Sequence, residues 1–272
     1  MVDSHHHFWN PTRREYPWMS DELASIRKPF GPDELRPLLD DNRVDKTILV
    51  QTVSSLEETR EFLETAATVE FVGGVVGWVD LTSPDVADTI ATLVSDHLVG
   101  IRHQVHDEPD PEWLLRDDVQ RGIAEVGEAG LVYDLLVRAR ELPAALETVR
   151  RQRDMSFVID HAAKPRIAGG SWDREWEERL APFSDERNVT CKLSGLVTEA
   201  DWKAWTAEDL EPYVRAVVGR FGADRCMFGS DWPVCLLAAG YDRVFKAIQQ
   251  IVGLDDQIFG ETARRVYGLP ET

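Results

Sequence analysis

Residues 46–81, KTILVQTVSSLEETREFLETAATVEFVGGVVGWVDL, read as a strand, a helix and a second strand in succession. The two outer parts are short, β-branched and nearly continuously apolar, as expected of strands that are buried on both faces of a parallel sheet. The middle part carries an apolar stripe, and Ser55 with Glu58 forms a capping-box pattern at its start. A strand–helix–strand unit of this kind predicts a parallel sheet covered by helices.

The same alternation continues along the chain. Further strand-like stretches lie at 3–9, 97–105, 130–137, 155–163, 189–196 and 226–234, and further amphipathic segments lie at 117–130 and 208–222. Eight strands that alternate with helices in 272 residues favour a (β/α)₈ TIM barrel, formed as a single domain over residues 1–272. A doubly wound open sheet is the alternative fold.

The composition restricts the partners of the protein. The net charge of −19 argues against nucleic acid or an anionic membrane surface as the main partner and leaves a small-molecule substrate. The three cysteines are odd in number and form no CxxC pair, which indicates a reduced compartment. With no signal-like or membrane-spanning apolar run, we expect a cytoplasmic protein, and a homo-oligomer is left open.

Three histidines stand in the first strand-like stretch, DSHHHFW. Side chains at i and i+2 of a strand point to the same side, so His5 and His7 lie about 6.5 Å apart at their Cα atoms. Two imidazoles at that spacing can converge on one cation at about 2.0–2.1 Å from each nitrogen. His6 points the other way, into the packing layer. We interpret the run as a metal or active-site HxH pair, and not as part of a tag or a coincidence.

Two later strands end in residues that can join this pair. Asp231 follows the apolar run in FGSDWP, and strands one and eight are neighbours in a closed barrel. Considered alone, Asp231 could instead cap the next helix. His161 in DHAAKP stands at the end of strand six, as a further imidazole ligand or a group that polarises a carbonyl; a satisfied core histidine is the alternative.

Other strand ends offer candidates for substrate recognition. Arg102 and His103 end strand four, and a guanidinium there suits a carboxylate or a hydroxyl-rich ligand, or else an internal salt bridge. Lys164 follows strand six. Lys192 and Ser194 in CKLSGL could equally be packed inside the barrel. The sequence contains no GxSxG, GxxxxGK[ST] or GxGxxG motif, which removes common competing chemistries.

The motifs DSHHHFW, GIRH, DHAAKP, CKLSG and FGSDWPV, in this order, resemble the amidohydrolase superfamily over essentially the whole chain, and more narrowly its amidohydrolase-2 lactonase group. The resemblance implies a (β/α)₈ barrel with its site at the carboxyl ends of the strands. No bridging lysine stands at the end of strand four, where GIRH lies. This departure favours one divalent ion, Zn²⁺ or Mn²⁺, over two, and the lactonase group also allows a mechanism without metal.

The resemblance implies a hydrolase that opens the lactone of a sugar acid or of a related small carboxylic acid. The implied metal ligands are His5, His7, His161 and Asp231. Asp231 and His161 are the implied catalytic residues, with Asp231 taking a proton from the attacking water and passing it to the leaving ring oxygen.

We expect the substrate to contact Arg102, His103, Lys164 and Trp232, with Tyr16 and Trp18 of the long loop 10–32 as further apolar walls. The alternative activity is a metal-dependent decarboxylase of a small unsaturated acid on the same barrel. A non-catalytic zinc-bearing barrel is the third hypothesis.

Overall fold

The computed structural model describes residues 1–270, so the last two residues of the predicted domain lie outside the described part. Eight parallel strands each pair with the next strand in chain order. Their bounds are β1 Val2–His6, β2 Lys46–Val50, β3 Val72–Gly77, β4 Leu98–His103, β5 Val132–Leu135, β6 Phe157–Ile159, β7 Val189–Leu193 and β8 Cys226–Phe228.

Helices follow the strands and cover the outside of the sheet. They are α1 Pro32–Asn42, α2 Leu56–Thr68, α3 Val86–Leu93, α4 Asp117–Glu128, α5 Leu142–Arg151, α6 Arg174–Leu180, α7 Leu196–Glu199, α8 Ala207–Phe221, α9 Tyr241–Val252 and α10 Thr262–Tyr267. Within residues 1–270, no helix combines the length and the apolar character that a membrane crossing requires.

The first and last strands meet and close the sheet. The His7 amide donates to the Trp232 carbonyl at 2.7 Å, and the Asp231 amide donates to the His5 carbonyl at 2.8 Å. Between β1 and β8 themselves, the Ser4 hydroxyl donates to the Phe228 carbonyl at 2.6 Å. The prediction of a single-domain (β/α)₈ barrel is therefore confirmed, and the open-sheet alternative is wrong.

All eight predicted strands are present, but they are shorter than the apolar runs that predicted them. The runs 155–163 and 226–234 give strands that stop at Ile159 and Phe228, because the chain then turns into the irregular segments that carry His161 and Asp231. The three predicted helical segments correspond to α2, α4 and α8.

The predicted capping box at α2 forms only in part. The Ser55 hydroxyl accepts from the Glu58 amide at 3.2 Å, as predicted. The Glu58 carboxylate, however, reaches past Ser55 and accepts from the amides of Thr52 at 2.7 Å and Val53 at 3.1 Å. Glu58 therefore braces the β2–α2 loop, which contributes Thr52 to the cavity described below.

The barrel interior has an apolar layer that the last helix covers. Inward-facing side chains of the strands form a buried cluster with Tyr267 and Leu269, and its strand members include Val2, Ile48, Val50, Val76, Val132, Val158 and Met227. The next inward position of β5, two residues after Val132, is the buried Asp134. The interior thus changes from apolar to charged towards the carboxyl ends of the strands.

Candidate active site

The strand alternation of β1 separates the three histidines as predicted. His5 and His7 lie on one side, with their Nε2 atoms 3.2 Å apart. The His6 ring lies on the other side, where its Nε2 meets Thr47 Oγ1 at 2.8 Å and its ring packs against Phe8. His7 Nδ1 donates to the Val50 carbonyl at 2.7 Å, which leaves His7 Nε2 directed at His5.

Asp231 is brought to this pair by closure of the barrel. Its Oδ1 lies 3.4 Å from His7 Nε2 and 3.9 Å from His5 Nε2. Although burial opposes ionisation, the adjacent His161 and His7 rings hold the pKa of Asp231 below its usual range. The short helical turn at 234–237 receives no side-chain cap, so the capping interpretation of Asp231 is wrong.

His161 lies on a backbone segment of unusual conformation. His161, Ala162, Ala163 and Lys164 have φ angles of 53°, 50°, 58° and 52°, all in the left-handed region. Non-glycine residues adopt this region at a cost of about 1–3 kcal/mol each, and such strain concentrates at functional sites. The turn directs both His161 and Lys164 into the cavity.

The His161 ring is held by a neighbour on the loop after β7. Its Nδ1 meets Ser194 Oγ at 2.9 Å, and its ring centroid lies 4.4 Å from that of His5. Burial is the main reason that the pKa of His161 falls to about 4, so the ring is neutral at pH 7. A neutral ring with Nδ1 engaged leaves Nε2 as the free nitrogen.

These four residues form a donor set that fits a divalent ion. One donor atom each from His5, His161 and Asp231 lies within 4.8 Å of the others, and all three residues are buried. His7 Nε2 adds a donor at 3.2 Å from His5 and 3.4 Å from Asp231. Ligands at about 2.0–2.1 Å in tetrahedral zinc geometry stand roughly 3.3 Å from each other, so these separations suit convergence on one ion.

A charged network surrounds His5, with Lys192 Nζ 3.2 Å from its Nδ1 and Arg102 Nη1 3.3 Å from its Nε2. Arg102 donates to Asp160 Oδ2 at 2.9 Å, so the internal salt-bridge interpretation of Arg102 is correct. Lys192 pairs with Asp134 at 2.6 Å and with Asp160 at 3.0 Å. Lys192 is therefore packed inside the barrel, as one of the two interpretations held, and it is paired there with two carboxylates.

A cavity of about 380 Å³ opens above these residues. Its lining includes the predicted residues His7, Trp18, Arg102, His161, Lys164 and Asp231. Residues that were not predicted also line it: Leu23, Thr52, Gln104, His106, Asp107, Leu136, Arg138, Thr198, Glu199, Trp202 and Val234.

Three residues that we expected to contact substrate do not line this cavity. His103 faces away from Arg102 on β4, stacks on Trp113 at 4.2 Å and meets Glu108 at 2.8 Å. Trp232 is buried and packs edge-to-face on Phe30. The Tyr16 ring packs against Trp9 inside the first loop.

The residues that sequence analysis missed lie in the connections that follow the strands. Arg138 and Glu199 follow β5 and β7 by several residues, and their side chains pair at 3.3 Å across the cavity wall. His106 follows β4, and burial is the main reason that its pKa falls to about 2. The available signal was the HQVH motif at the end of β4, in which the second histidine, His106, lines the cavity and the first, His103, does not.

Comparison with known proteins shows the family to which the chain belongs. The chain matches the amidohydrolase family model over residues 2–269 and belongs to this family. It is 40% identical to an L-fucono-1,5-lactonase of Burkholderia ambifaria, covering 98% of this chain and 92% of that protein. It is 38% identical to an L-fucono-1,5-lactonase of Burkholderia multivorans, covering 99% and 96%.

The fold comparison agrees with the family. A crystal structure of an amidohydrolase from Burkholderia multivorans with bound zinc superimposes on this chain with a TM-score of 0.95 at 36% identity, covering 99% of both chains.

The alternation of β1 generates a prediction for the three histidines. His5→Ala and His7→Ala should each lower turnover by roughly 10²-fold or more, because each removes a nitrogen from the converging donor set. His6→Ala should change turnover only a few-fold, although loss of the buried ring should cost about 1–3 kcal/mol of stability. Steady-state kinetics and thermal unfolding of the three variants make the comparison, and equal losses of turnover from all three would contradict the HxH assignment.

The contact between Gly195 and His161 generates a second prediction. Gly195 has a φ of +62°, and a Cβ there would lie 2.5 Å from His161 Nδ1. Gly195→Ala should displace the His161 ring and lower turnover by roughly 10²-fold, since misplacement of about 1 Å can have that effect.

Gly170→Ala is the matched control for this variant. Gly170 has a similar φ of +63°, but a Cβ there would meet nothing within 4 Å. The two variants should lose similar stability, about 1–2 kcal/mol from the left-handed backbone, while only Gly195→Ala loses activity. Similar turnover in both would show that the Gly195 contact does not position His161.

Proposed function

We propose that this protein is a lactonase that hydrolyses the lactone of a sugar acid, of the type of L-fucono-1,5-lactone. The observation that carries the proposal is the convergence of Asp231 with three imidazoles at the floor of a polar cavity. The near full-length similarity to two L-fucono-1,5-lactonases supports the substrate class.

Asp231 is the general base in this proposal. Its neighbours keep its carboxylate ionised despite burial, and it lies at the cavity floor where a water and a lactone carbonyl can meet. It takes a proton from the attacking water and returns it to the ring oxygen when the carbonyl–oxygen bond breaks. His161, neutral and with Nε2 free, is the second catalytic residue and is placed to polarise the carbonyl.

His5, His7, His161 and Asp231 would hold one divalent ion. When bound, Zn²⁺ or Mn²⁺ would supply a Lewis acid for the carbonyl and a lower pKa for the attacking water. The zinc in the similar Burkholderia multivorans structure supports Zn²⁺ as the ion. These side chains also support a metal-free variant of the reaction, in which Ser194 donates to His161 Nδ1, His161 donates from Nε2 to the carbonyl oxygen, and Asp231 keeps its role.

The cavity walls supply polar groups for the hydroxyls of a sugar ring. Gln104, His106 and Thr198 line the cavity with polar side chains. Lys164 adds a cation, and Trp202 adds an aromatic wall. The positive charges of Arg102 and Arg138 are matched by Asp160 and Glu199, which favours a neutral polyhydroxy ring over a dicarboxylate lactone.

We place the enzyme in the cytoplasm, as part of bacterial-type sugar-acid metabolism. All three cysteines, Cys191, Cys226 and Cys235, are free and buried, which is consistent with a reducing compartment.

A substrate panel tests the proposed activity. Purified protein is assayed for acid release from aldonolactones and dicarboxylate lactones, and for CO₂ release from small unsaturated acids, with and without a chelator. We expect turnover of deoxy-sugar lactones and no CO₂ release. CO₂ release without lactone opening would contradict the lactonase proposal and support a decarboxylase. Full lactonase activity after metal removal would support the metal-free reaction.

Asp231→Asn tests the role of the base. Asparagine tolerates the left-handed backbone of this position, where φ is 57°, and keeps the size of the carboxylate. It cannot accept a proton from water, so lactone hydrolysis should fall by about 10²–10⁴-fold with the melting temperature little changed. Kinetics and lactone binding are measured together, and near-normal kcat would remove Asp231 from the mechanism.

A further inference from the structure

Lys192 is fully buried in the interior of the barrel, beneath the candidate metal ligands. Its Nζ lies 2.6 Å from Asp134 Oδ2, 3.0 Å from Asp160 Oδ1 and 3.2 Å from His5 Nδ1. These three residues are each 0% exposed. We call them the interior cage: two carboxylates and one imidazole nitrogen that surround a single ammonium group.

The interior cage is held in place from outside. Tyr267 of α10 donates its hydroxyl to Asp134 Oδ2 at 2.9 Å. Arg102 donates to the other oxygen of Asp160, also at 2.9 Å. Because each carboxylate has a second anchor, the cage does not depend on Lys192 alone for its shape.

The cage requires a positive charge. Two carboxylates in a dry interior are stable in ionised form only when cations lie beside them. Arg102 and Lys192 are the cations paired with them, and Lys192 is the one that contacts both carboxylates.

We propose that the Lys192 ammonium is a tethered cation: it fills an interior cation position formed by Asp134, Asp160 and His5, and so excludes a free ion from that position. The cage also fixes the direction of the His5 ring, because Asp160 Oδ1 lies 3.3 Å from His5 Nδ1 and accepts its proton, which leaves the Nε2 lone pair facing His7 and Asp231. The protein therefore takes a divalent ion only at the site formed by His5, His7, His161 and Asp231. This inference concerns cation binding and does not depend on which lactone the enzyme opens.

Lys192→Ala tests the proposal by emptying the cage. The variant keeps the three donors and loses one positive charge, so it should bind about one Mn²⁺ per chain more than the unchanged protein. Its melting temperature should rise by about 5–10 °C with saturating Mn²⁺, and rise with ammonium chloride but not with sodium chloride. Metal per chain is measured by elemental analysis after gel filtration, and unfolding is followed by circular dichroism.

The double variant Asp134→Asn, Lys192→Ala is the matched control. It removes one cage ligand together with one negative charge, so the buried charge is balanced without Lys192. It should bind no additional Mn²⁺, and its melting temperature should not depend on ammonium.

Three outcomes would overturn the proposal. The first is that Lys192→Ala protein binds no additional ion and is not stabilised by any added cation. A variant that stays unfolded in every salt counts as this outcome. The second is equal Mn²⁺ uptake by the double variant, which would place the ion elsewhere. The third is two tightly held ions in the unchanged protein. A failure of lactone turnover would leave each of these measurements unaffected, so the two proposals fail separately.

Discussion

The structure depends on the hydrogen bonds that join β1 to the segment after β8. The Asp231 amide donates to the His5 carbonyl at 2.8 Å, and the His7 amide donates to the Trp232 carbonyl at 2.7 Å. Three of the four residues in these two bonds, His5, His7 and Asp231, also contribute side chains to the candidate site. Closure of the fold and assembly of the site are therefore one event, and an open sheet with the same strands would separate His5 from Asp231.

The site also depends on backbone that the fold must hold in strained conformations. The left-handed turn from His161 to Lys164 is fixed from behind by the fully buried Trp176, whose indole nitrogen donates to the Ala162 carbonyl at 2.6 Å. Strained residues persist only where surrounding packing over-determines them. The core between the strands and the helices thus contributes directly to the site, because Trp176 holds the turn that places His161 beside His5 and His7.

The periodicity of the sequence was sufficient to predict the eight strands and the barrel, and strand alternation separated His6 from its neighbours. The same rule, applied to β4, would have avoided one error. Arg102 and His103 are adjacent in a strand and must face opposite sides, so both could not reach one ligand. His103 packs on Trp113 outside the cavity.

Loop residues were beyond prediction for a physical reason. His106, Arg138, Glu199 and Trp202 lie in the connections after the strands, on loops or in helical turns of three or four residues, which are too short for a period to relate position in the sequence to direction in space. Trp232 was misassigned for a similar reason, since its direction is decided by a turn, where Asp231 has a φ of 57°, and by packing on Phe30.

The interior charges explain why the strongly negative composition says little about the ligand. The net charge of −19 is a sum over the whole chain, whereas Asp134 and Asp160 are matched within the barrel by Lys192 and Arg102. Ions buried in this way contribute little net stability, because desolvation opposes their attraction, but removing one partner leaves a costly unpaired charge. The pairs therefore act chiefly on geometry. They fix the His5 ring from the interior side, as closure of the barrel fixes Asp231 from the other, and the reacting groups are held between these two constraints.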